Sequence, residues 1–318
     1  MTTVSILLPT YERARYLRRA IDSVLAQSFT DFELLIGDNS CGDETEAVVR
    51  AYRDPRIVYR RHPRNLGPQG NWLDLVGRAS SDLVATLHDD NTLHSEFLAA
   101  LVQPLLADAS IAMAFADFEV IDADDRTIDD ASVELAARTH RDRLKEGRFC
   151  PDISAGLRLV AVWNAPNPSI CAVARRAEIL ATTFPARYEP LYDLWLSYQL
   201  ARRGSALYFV RRKLARFRVH SGSTTNAGYA EPEDRLFAAI LDENPEAGVV
   251  LDEIRRYWSM IRWGRAKRLM HDSGQRAISR QTFSAAAPAL SPARRVLASI
   301  AGNSDVGWTL LRPLLRED

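Results

Sequence analysis

Residues 82–91 read DLVATLHDDN and place two adjacent carboxylates directly after a short apolar run. The run from Leu83 to Leu87 predicts a buried strand, so Asp89 and Asp90 would follow its carboxyl end. Open α/β sheets bind their ligands at that edge. Carboxylate oxygens suit Mg²⁺ or Mn²⁺, which usually share their ligand shell with substrate phosphates. The pair therefore predicts a metal and phosphate site, with a polar turn at the end of a strand as the alternative.

Strand and helix patterns alternate around this run over the first 116 residues. Apolar residues are nearly continuous in the predicted strands and recur at helical spacing in the predicted helices. The predicted strands cover residues 4–9, 32–38, 56–60, 83–87 and 111–116, and the predicted helices cover 15–27, 43–52, 70–79 and 95–107. This alternation predicts an α/β fold with a mostly parallel central sheet flanked by helices.

The next part of the chain carries weaker patterns. Residues 118–149 are charged and contain few large apolar side chains, which predicts connecting structure and a mobile flap. Residues 168–175 predict another strand, and residues 206–219 predict one long or two short strands. Between them, residues 191–203 predict a helix that ends at a glycine, a typical stop.

The composition of the chain argues against several classes of function. The chain has 41 basic residues (lysine plus arginine) and 41 acidic residues (aspartate plus glutamate). It therefore has no net positive charge that would attract nucleic acid. The three cysteines fit neither a disulfide framework nor a zinc pattern, which favours a reducing compartment such as the cytoplasm. The amino terminus shows no signal-peptide pattern. No run of about 18 apolar residues predicts a membrane span.

From about residue 231 the pattern becomes helical. Residues 254–280 carry eight Lys or Arg against one Asp, with aromatic and apolar residues between them. Such a segment could make a peripheral contact with the inner face of an anionic membrane. We favour the alternative, a helix that packs on the main domain and exposes a basic face to solvent. The same helices could pair two subunits into a homo-oligomer.

Four polar clusters follow predicted strands at the same edge of the sheet. Pro9–Arg13 offers an aromatic ring and a carboxylate that could hold a nucleobase and a ribose. Asp38–Ser40 offers a carboxylate that can accept an N–H from a base edge. Arg64–Asn71 places glycines at the start of a helix, where backbone N–H groups favour anions. With His88–Asp90 they predict a nucleotide site, although each alone could be ordinary turn chemistry.

These clusters belong to longer motifs, through which the chain resembles the family 2 glycosyltransferases of the GT-A fold. The motifs are SILLPTYER from residue 5, SVLAQSFTDFELLIGDNS from residue 23, RNLGPQGNW from residue 64 and LHDDN from residue 87. The resemblance is dense over residues 4–118. It resumes at YEPLYDLWL from residue 188 and at RFRVHSGS from residue 216. No family motif is visible beyond about residue 230.

The resemblance implies a Rossmann-like GT-A domain with a helical C-terminal extension. Residues 1–118 would be the nucleotide-sugar-binding half, 119–230 the acceptor-binding half and 231–318 the extension. The implied reaction is a metal-dependent, inverting transfer of a sugar from a nucleoside-diphosphate sugar to a hydroxyl group, with Mn²⁺ or Mg²⁺ as cofactor. UDP or dTDP is the favoured carrier and GDP the alternative, because one carboxylate can accept the N3–H of a pyrimidine. The acceptor stays open between a glycan, a lipid-linked oligosaccharide and a small natural product.

The resemblance also implies the residues of the site. The donor nucleotide would contact the first three loops and the acid pair, namely Pro9, Thr10, Tyr11, Glu12, Asp38, Arg64, Asn65 and Asp89, the last near the ribose. Asp90 would hold the metal, and His220 could complete the metal shell or touch the diphosphate. The family often has an aspartate-any-aspartate motif, in which His88 here replaces the first acid.

The family often places its general base in a glutamate–aspartate pair at the start of a helix. The matching residues are Tyr192 and Asp193, so the resemblance implies Asp193 as the base, and Glu189 lies close enough in sequence to compete. Without the resemblance, Asp193 would be a helix-start carboxylate favoured by the helix dipole. Arg216 and Arg218 could share a strand face that meets phosphate oxygens. The acceptor site could include Trp163, Asn164, Asn167 and Trp195, with core packing as the alternative for the tryptophans.

Three other functions are weighed against this one. A sugar nucleotidyltransferase uses a glycine-rich first loop, and Pro9–Arg13 has no glycine. An NAD(P)-dependent enzyme needs G-x-G-x-x-G after its first strand, and that motif is absent. A catalytically silent nucleotide-sugar-binding protein would not need both Asp90 and Asp193.

Overall fold

The computed structural model describes residues 2–220, 230–271 and 276–303, together with Leu311. These residues form two compact units, one ending at Leu236 and the other beginning at Phe237. No helix within the described ranges is both long and apolar enough to cross a membrane. The assignment of a donor half and an acceptor half to residues 1–118 and 119–230 stays a prediction.

The first unit alternates strands and helices. Its strands are β1 (Val4–Thr10), β2 (Phe32–Asp38), β3 (Ile57–Arg61), β4 (Leu83–Thr86), β5 (Thr92–Leu93), β6 (Ile111–Ile121), β7 (Gly147–Phe149), β8 (Ala172–Arg175) and β9 (Ala206–Arg218). Its helices are α1 (Ala14–Leu25), α2 (Glu44–Arg50), α3 (Gly67–Arg78), α4 (Phe97–Ala107), α5 (Asp129–Arg138), α6 (Ile153–Leu157), α7 (Arg176–Leu180) and α8 (Tyr192–Arg202). The later helices are α9 (Ala230–Glu243), which spans the division, α10 (Val249–His271), α11 (Arg276–Ala286) and α12 (Pro292–Asn303).

The strands of the first unit form one sheet in the order β3-β2-β1-β4-β8-β6-β9-β5, with β7 also paired to β9. The strands β3, β2, β1 and β4 are mutually parallel, and β6 is parallel to β9. Because β8 is antiparallel to both β4 and β6, all six of these strands run in the same direction. The predicted mostly parallel sheet with flanking helices is therefore confirmed.

Alternate residues of the central strands enter two different apolar clusters. Ile6 and Leu34 belong to one cluster, which also contains Ile21 of α1. Leu7 and Leu35 belong to the other. Successive strand residues point to opposite faces, so helices cover both faces of the sheet. Burial on both faces explains why β1 and β2 appear in the sequence as continuous apolar runs.

The loops of the candidate site leave the sheet at one edge. Thr10 pairs in register with Asp38, so the carboxyl ends of β1 and β2 lie side by side. On the other side of β1, the Leu87 N–H donates to the Leu7 carbonyl at 2.9 Å and carries the β4 ladder one residue further. The loops after β1, β2 and β4 therefore meet at the edge where open α/β sheets bind ligands.

The prediction of connecting structure over residues 118–149 is wrong for much of that length. Strand β6 continues to Ile121, helix α5 follows, and β7 adds a further strand to the sheet. The local sequence hides α5 because the side chains that this helix buries, Ser132 and Ala136, are small. The length of β6 depends on its pairing with β9, which lies far away in the sequence.

Three predicted boundaries also move. The strand predicted over residues 168–175 is shorter in the structure, where it is β8. The N–H groups of Ile170 and Cys171 donate to the Asn167 carbonyl in a turn, so the strand begins only after them. The predicted strand or strands over residues 206–219 form one long strand, Ala206–Arg218. Helix α3 begins earlier than predicted, at Gly67, with Pro68 in its first turn, where a proline costs the helix no hydrogen bond.

The second unit contains the helical extension that the sequence predicts. Its apolar core includes Trp263, Met270, Phe283 and Leu290. Residues 272–275 of the basic segment 254–280 lie outside the described residues, as do the motif residues 221–223. Contact of this segment with a membrane stays a prediction.

Candidate active site

The loop after β4 carries the acid pair at the sheet edge. Asp89 and Asp90 are buried, with 4% and 8% of their surface exposed. The chain turns sharply here, since Asn91 donates its N–H to the His88 carbonyl at 3.1 Å. Two carboxylates that are withdrawn from water need hydrogen-bond or charge partners within the protein.

Asp89 joins the first loop to the acid pair. Its Oδ2 accepts the Thr10 hydroxyl at 2.7 Å and the Tyr11 N–H at 3.2 Å. Burial raises the pKa of Asp89 to about 6, and repulsion from Asp90 adds to this effect, while Arg13 opposes it. The predicted nucleotide residues Thr10, Tyr11 and Asp89 are therefore in direct contact, although the place of Asp89 near a ribose stays a prediction.

The carboxylate of Asp90 is approached by Arg13 and His220. Arg13 Nη1 donates to Asp90 Oδ2 at 2.6 Å and reaches Asp89 Oδ1 at 3.3 Å. His220 Nε2 lies 3.4 Å from the same Asp90 oxygen. The fold thus brings together the two predicted metal residues, Asp90 and His220, which are 130 positions apart in the chain.

The groups around Asp90 fit a small divalent cation that shares its shell with a ligand. Asp90 offers carboxylate oxygens and His220 offers an imidazole nitrogen on the same side. Within the described part of the chain, no three His, Cys, Asp or Glu side chains are grouped as a metal cage. Sites for Mg²⁺ that use substrate phosphates commonly have only one or two protein carboxylates. A cation held by Asp90 and His220 would therefore need phosphate oxygens to complete its coordination.

Arg218 supports the acid loop through its backbone and side chain. Its Nε donates to the Asp90 carbonyl at 2.7 Å, and its N–H donates to Asn91 Oδ1 at 2.9 Å. The Arg218 side chain is fully buried. The Arg216 side chain is partly exposed and pairs with Glu119 at 3.1 Å. The prediction that Arg218 faces a phosphate is wrong, because its guanidinium is enclosed by the protein.

Asp38 and Glu12 hold the first two loops in place. Asp38 has no exposed surface, and its two oxygens accept the Tyr59 hydroxyl at 2.7 Å and the Ser40 N–H at 2.8 Å. Glu12 has a positive φ of 54° and accepts the Cys41 N–H at 2.8 Å. Both predicted residues have partners in the protein, and the described lining of the two cavities includes neither of them. Base recognition by Asp38 stays a prediction.

The third loop is held tightly against the start of α3. Arg64 and Asn65 are exposed, and Asn65 Oδ1 accepts the Gly67 N–H at 2.8 Å. Gly67 has a φ of 74°, and a Cβ atom there would lie 2.4 Å from Glu189 Oε1. That oxygen accepts the Gln69 N–H at 3.1 Å. Position 67 therefore needs glycine both for its backbone angle and for the approach of Glu189.

A cavity of about 500 Å³ opens between these loops. The structure places five of the predicted donor residues on its wall, namely Pro9, Thr10, Tyr11, Asn65 and Asp89. A second cavity of about 500 Å³ shares Asn39 and Asn65 with the first and includes Arg64 and Cys41. The two cavities together offer room for a ligand with several parts along the sheet edge.

Several wall residues received no individual role from the sequence, among them Arg13, His88 and Tyr192. His88 Nε2 lies 2.9 Å from the Tyr192 hydroxyl, and the Tyr192 ring stacks on Trp72 with the ring centroids 4.7 Å apart. The position of Arg13 within the first-loop motif, at the same sheet edge as two acids, was the signal that could have identified it.

The two candidate bases lie near the start of α8. Asp193 Oδ2 accepts the Ser169 hydroxyl at 2.8 Å, and Asp193 Oδ1 accepts the Leu194 N–H at 2.7 Å. The described wall of the first cavity contains Glu189 and Tyr192 but does not contain Asp193. Glu189 therefore reaches the cavity directly, whereas Asp193 is oriented by Ser169.

Of the candidate acceptor residues, Trp195 lies in the core. Its Nε1 donates to the Thr183 carbonyl at 2.8 Å, and its ring packs on Tyr188 with the centroids 4.6 Å apart. Trp163 is only partly buried and stacks on His140 at 4.6 Å. Core packing accounts for Trp195, and an acceptor role for Trp163 stays a prediction.

Known proteins match this chain in sequence. A model of glycosyl transferase family 2 matches residues 5–164, half of the chain. An uncharacterised glycosyltransferase of Nostoc sp. is 27% identical over 225 residues, which cover 69% of this chain and 66% of that protein. The GalNAc(5)-diNAcBac-PP-undecaprenol beta-1,3-glucosyltransferase of Campylobacter jejuni is 35% identical over 106 residues, which cover 32% of this chain and 34% of that protein. The matched part of this chain thus spans between a third and two thirds of the length of these relatives.

Solved structures share the fold. The crystal structure of a TarS fragment from S. aureus matches with a TM-score of 0.64 at 14% identity, covering 98% of this chain and 86% of that chain. The same fragment in complex with UDP-GlcNAc matches with a TM-score of 0.62 at 16% identity. The predicted GT-A fold is thereby confirmed. Together with the family match over residues 5–164, these results establish that the chain belongs to the family 2 glycosyltransferases.

Proposed function

We propose that this chain transfers a sugar from a nucleoside-diphosphate sugar to a hydroxyl group, with inversion at the anomeric carbon. The observation that supports the proposal is the buried pair Asp89 and Asp90 beside the cavity, where Thr10, Arg13 and His220 meet the carboxylate oxygens. A buried acid pair with donors around it, at the ligand edge of an α/β sheet, suits a metal diphosphate.

The nucleotide of the donor would lie in the two adjoining cavities. Tyr11 is 50% exposed and offers a ring face on which a base or ribose can stack. The N–H groups of Gly67 and Gln69 already bind Asn65 and Glu189, so the group of the third loop that can meet an anion is the exposed guanidinium of Arg64 on the wall of the second cavity. We propose UDP or dTDP as the carrier, which the complexes of the S. aureus TarS fragment with UDP and with UDP-GlcNAc support for this fold.

Asp90 and His220 would hold Mn²⁺ or Mg²⁺ together with oxygens of the donor. Such an ion supplies positive charge to the departing diphosphate. Asp89 binds Thr10 and the Tyr11 N–H, and therefore fixes the first loop against the acid pair. The position of this loop would then set where the base and ribose can lie.

The transfer itself needs a proton acceptor. The bond from the anomeric carbon to the diphosphate oxygen breaks and leaves its electron pair on the diphosphate. The acceptor oxygen bonds to the opposite face of that carbon and gives its proton to a carboxylate. We propose Asp193 as this carboxylate, oriented by Ser169. Glu189 is the second candidate, because it lines the cavity.

We propose a cytoplasmic enzyme whose acceptor is a glycan, a lipid-linked oligosaccharide or a small natural product. One relative is named for transfer to an undecaprenol-linked oligosaccharide, which supports the second class. The proposal also includes peripheral membrane contact through residues 254–280 and assembly into a homo-oligomer. It includes no nucleic-acid partner.

Thermal unfolding with UDP, dTDP and GDP, each with Mn²⁺ or with EDTA, tests the proposal. We expect stabilisation by one pyrimidine nucleotide, larger with Mn²⁺. A screen of nucleotide sugars by mass spectrometry then identifies the donor through its slow hydrolysis. A protein that binds nucleotide but cleaves no donor would be a silent binding protein, and release of pyrophosphate from a nucleoside triphosphate with a sugar phosphate would identify a nucleotidyltransferase.

A further inference from the structure

Arg13 bridges the two carboxylates of the acid pair. Its Nη1 is 2.6 Å from Asp90 Oδ2 and 3.3 Å from Asp89 Oδ1. The side chain is 22% exposed, and Arg13 lines the first cavity together with Thr10 and Asp89. The guanidinium therefore touches both the predicted metal ligand and the space in which a diphosphate would lie.

The charges near Asp90 give Arg13 a particular role. A guanidinium keeps its charge throughout the working pH range. Among the described residues, the basic side chains that meet the Asp90 carboxylate are Arg13 and His220. Arg218 approaches only the Asp90 carbonyl, and its charge is paired with Asp125. Arg13 thus compensates two carboxylates whose burial without a cation would be costly.

We propose that Arg13 is a built-in counter-ion, which competes with the divalent cation for Asp90 Oδ2 and transfers to the diphosphate when the donor binds. The inference rests on the proposed function and adds a residue to it. An oxygen that already accepts Nη1 at 2.6 Å cannot also bind a dication at about 2.1 Å without bringing two cations together. Phosphate oxygens offer a guanidinium the same bidentate geometry as a carboxylate.

Two consequences follow from this competition. Metal alone should bind weakly, because Arg13 occupies Asp90 Oδ2, the same oxygen that faces His220, and a cation between Asp90 and His220 would have to displace it. A nucleoside diphosphate should bind measurably without metal, because Arg13 can pair with it, and it should then strengthen metal binding by freeing the Asp90 oxygen. Since such coupling is reciprocal, metal should strengthen nucleotide binding by the same factor.

Titration of Mn²⁺ into the full chain without nucleotide, followed by the EPR signal of free Mn²⁺, tests the first consequence. We expect Arg13→Gln to tighten Mn²⁺ binding by about tenfold, the scale of one charge-assisted hydrogen bond. Calorimetry with UDP in EDTA tests the second, and there Arg13→Gln should weaken binding by about tenfold or more. Arg15→Gln is the matched control, because Arg15 lies two residues away and pairs with Asp124 at 3.7 Å on the surface.

Unchanged Mn²⁺ affinity in Arg13→Gln would overturn the competition, and unchanged affinity for UDP in EDTA would overturn the transfer to the diphosphate. If the variant fails to fold, Arg13→Gln is combined with Asp89→Asn, which removes one of the two buried charges that Arg13 compensates. The double variant should bind Mn²⁺ about tenfold more tightly than Asp89→Asn alone, and UDP in EDTA more weakly. Failure of the wild type to bind any nucleotide would instead count against the proposed function, while the Mn²⁺ titration would still decide the competition.

Discussion

The imidazole of His88 lies 2.9 Å from the hydroxyl of Tyr192, and this contact joins the acid loop to helix α8. By resemblance to the family, both residues stand where acids are common. The two departures from the family pattern therefore touch each other, and a hydrogen bond between an imidazole and a phenol takes the place of two acids. Trp72 holds the pair from α3, since it stacks on Tyr192 and donates its Nε1–H to Thr86 at 2.9 Å.

The His88–Tyr192 contact should couple the stability of the two elements. Tyr192→Phe keeps the ring on Trp72 and removes only the hydroxyl, so we expect the free energy of unfolding to fall by about 1 kcal/mol. Urea unfolding of Tyr192→Phe, His88→Ala and the double variant measures the coupling, expected at about 0.5–1.5 kcal/mol. Additive effects would show that the contact contributes nothing. Tyr208→Phe, a change to a half-buried tyrosine of β9, is the matched control.

Asp90→Asn should abolish the effect of Mn²⁺ on nucleotide binding. The amide keeps the size of the side chain but loses the charge that would hold the ion together with His220. Calorimetric titration of UDP with and without Mn²⁺ measures the difference. Asp124→Asn, on the exposed loop after β6, should behave as the wild type. An Asp90→Asn protein with an undiminished response to Mn²⁺ would remove Asp90 from the metal site.

The choice between Asp193 and Glu189 as the base can be made by two isosteric variants. If Asp193 accepts the proton, Asp193→Asn should lower kcat by about 10²–10⁴-fold and leave the dissociation constant of the donor unchanged. Glu189→Gln keeps an oxygen for the Gln69 N–H, so it should preserve the start of α3 and most of the activity. The reverse pattern, with the large loss in Glu189→Gln, would assign the base to the residue on the cavity wall.

The three cysteines should react at different rates with a thiol reagent at pH 8. Cys41 and Cys150 are exposed, whereas burial raises the pKa of the Cys171 thiol to about 11. We expect two fast thiols in the native protein and a third only after denaturation, because the thiolate is the reactive form. Since Cys41 lines the second cavity, UDP with Mn²⁺ should slow its labelling and leave Cys150 unaffected. Cys41→Ser and Cys150→Ser identify each thiol, and equal protection of both would place the nucleotide elsewhere.

The acid pair should make the metal-free protein less stable as the pH rises. Burial, with repulsion from Asp90, raises the pKa of Asp89 from 3.8 to about 6. The folded state therefore binds this proton more tightly than the unfolded state, and the stabilisation is lost between about pH 4 and pH 6 as the proton leaves. Urea unfolding in EDTA measures the free energy of unfolding at pH 5 and at pH 7.5. Between these two values it should fall less for Asp89→Asn than for the wild type. If the free energy of unfolding of the two proteins fell by the same amount, the raised pKa could not belong to Asp89.

The sequence was sufficient to predict the strands around the site. Strands β1, β2 and β4 lie within a residue or so of their predicted bounds, because burial on both sheet faces produces an apolar run that can be read locally. The prediction failed over residues 118–149, where α5 buries small side chains and β6 extends through its pairing with β9. A strand whose length depends on a distant partner leaves little trace in its own residues.

By itself, the sequence determined the alternation of strands and helices, the family motifs and the position of Asp89 and Asp90 after a strand. Only the tertiary structure decided which side chains meet those carboxylates. Thr10 lies 79 positions from Asp89, and Arg13 and His220 lie 77 and 130 positions from Asp90. Local propensity acts over a few residues, whereas these contacts depend on the register and order of the strands in the sheet.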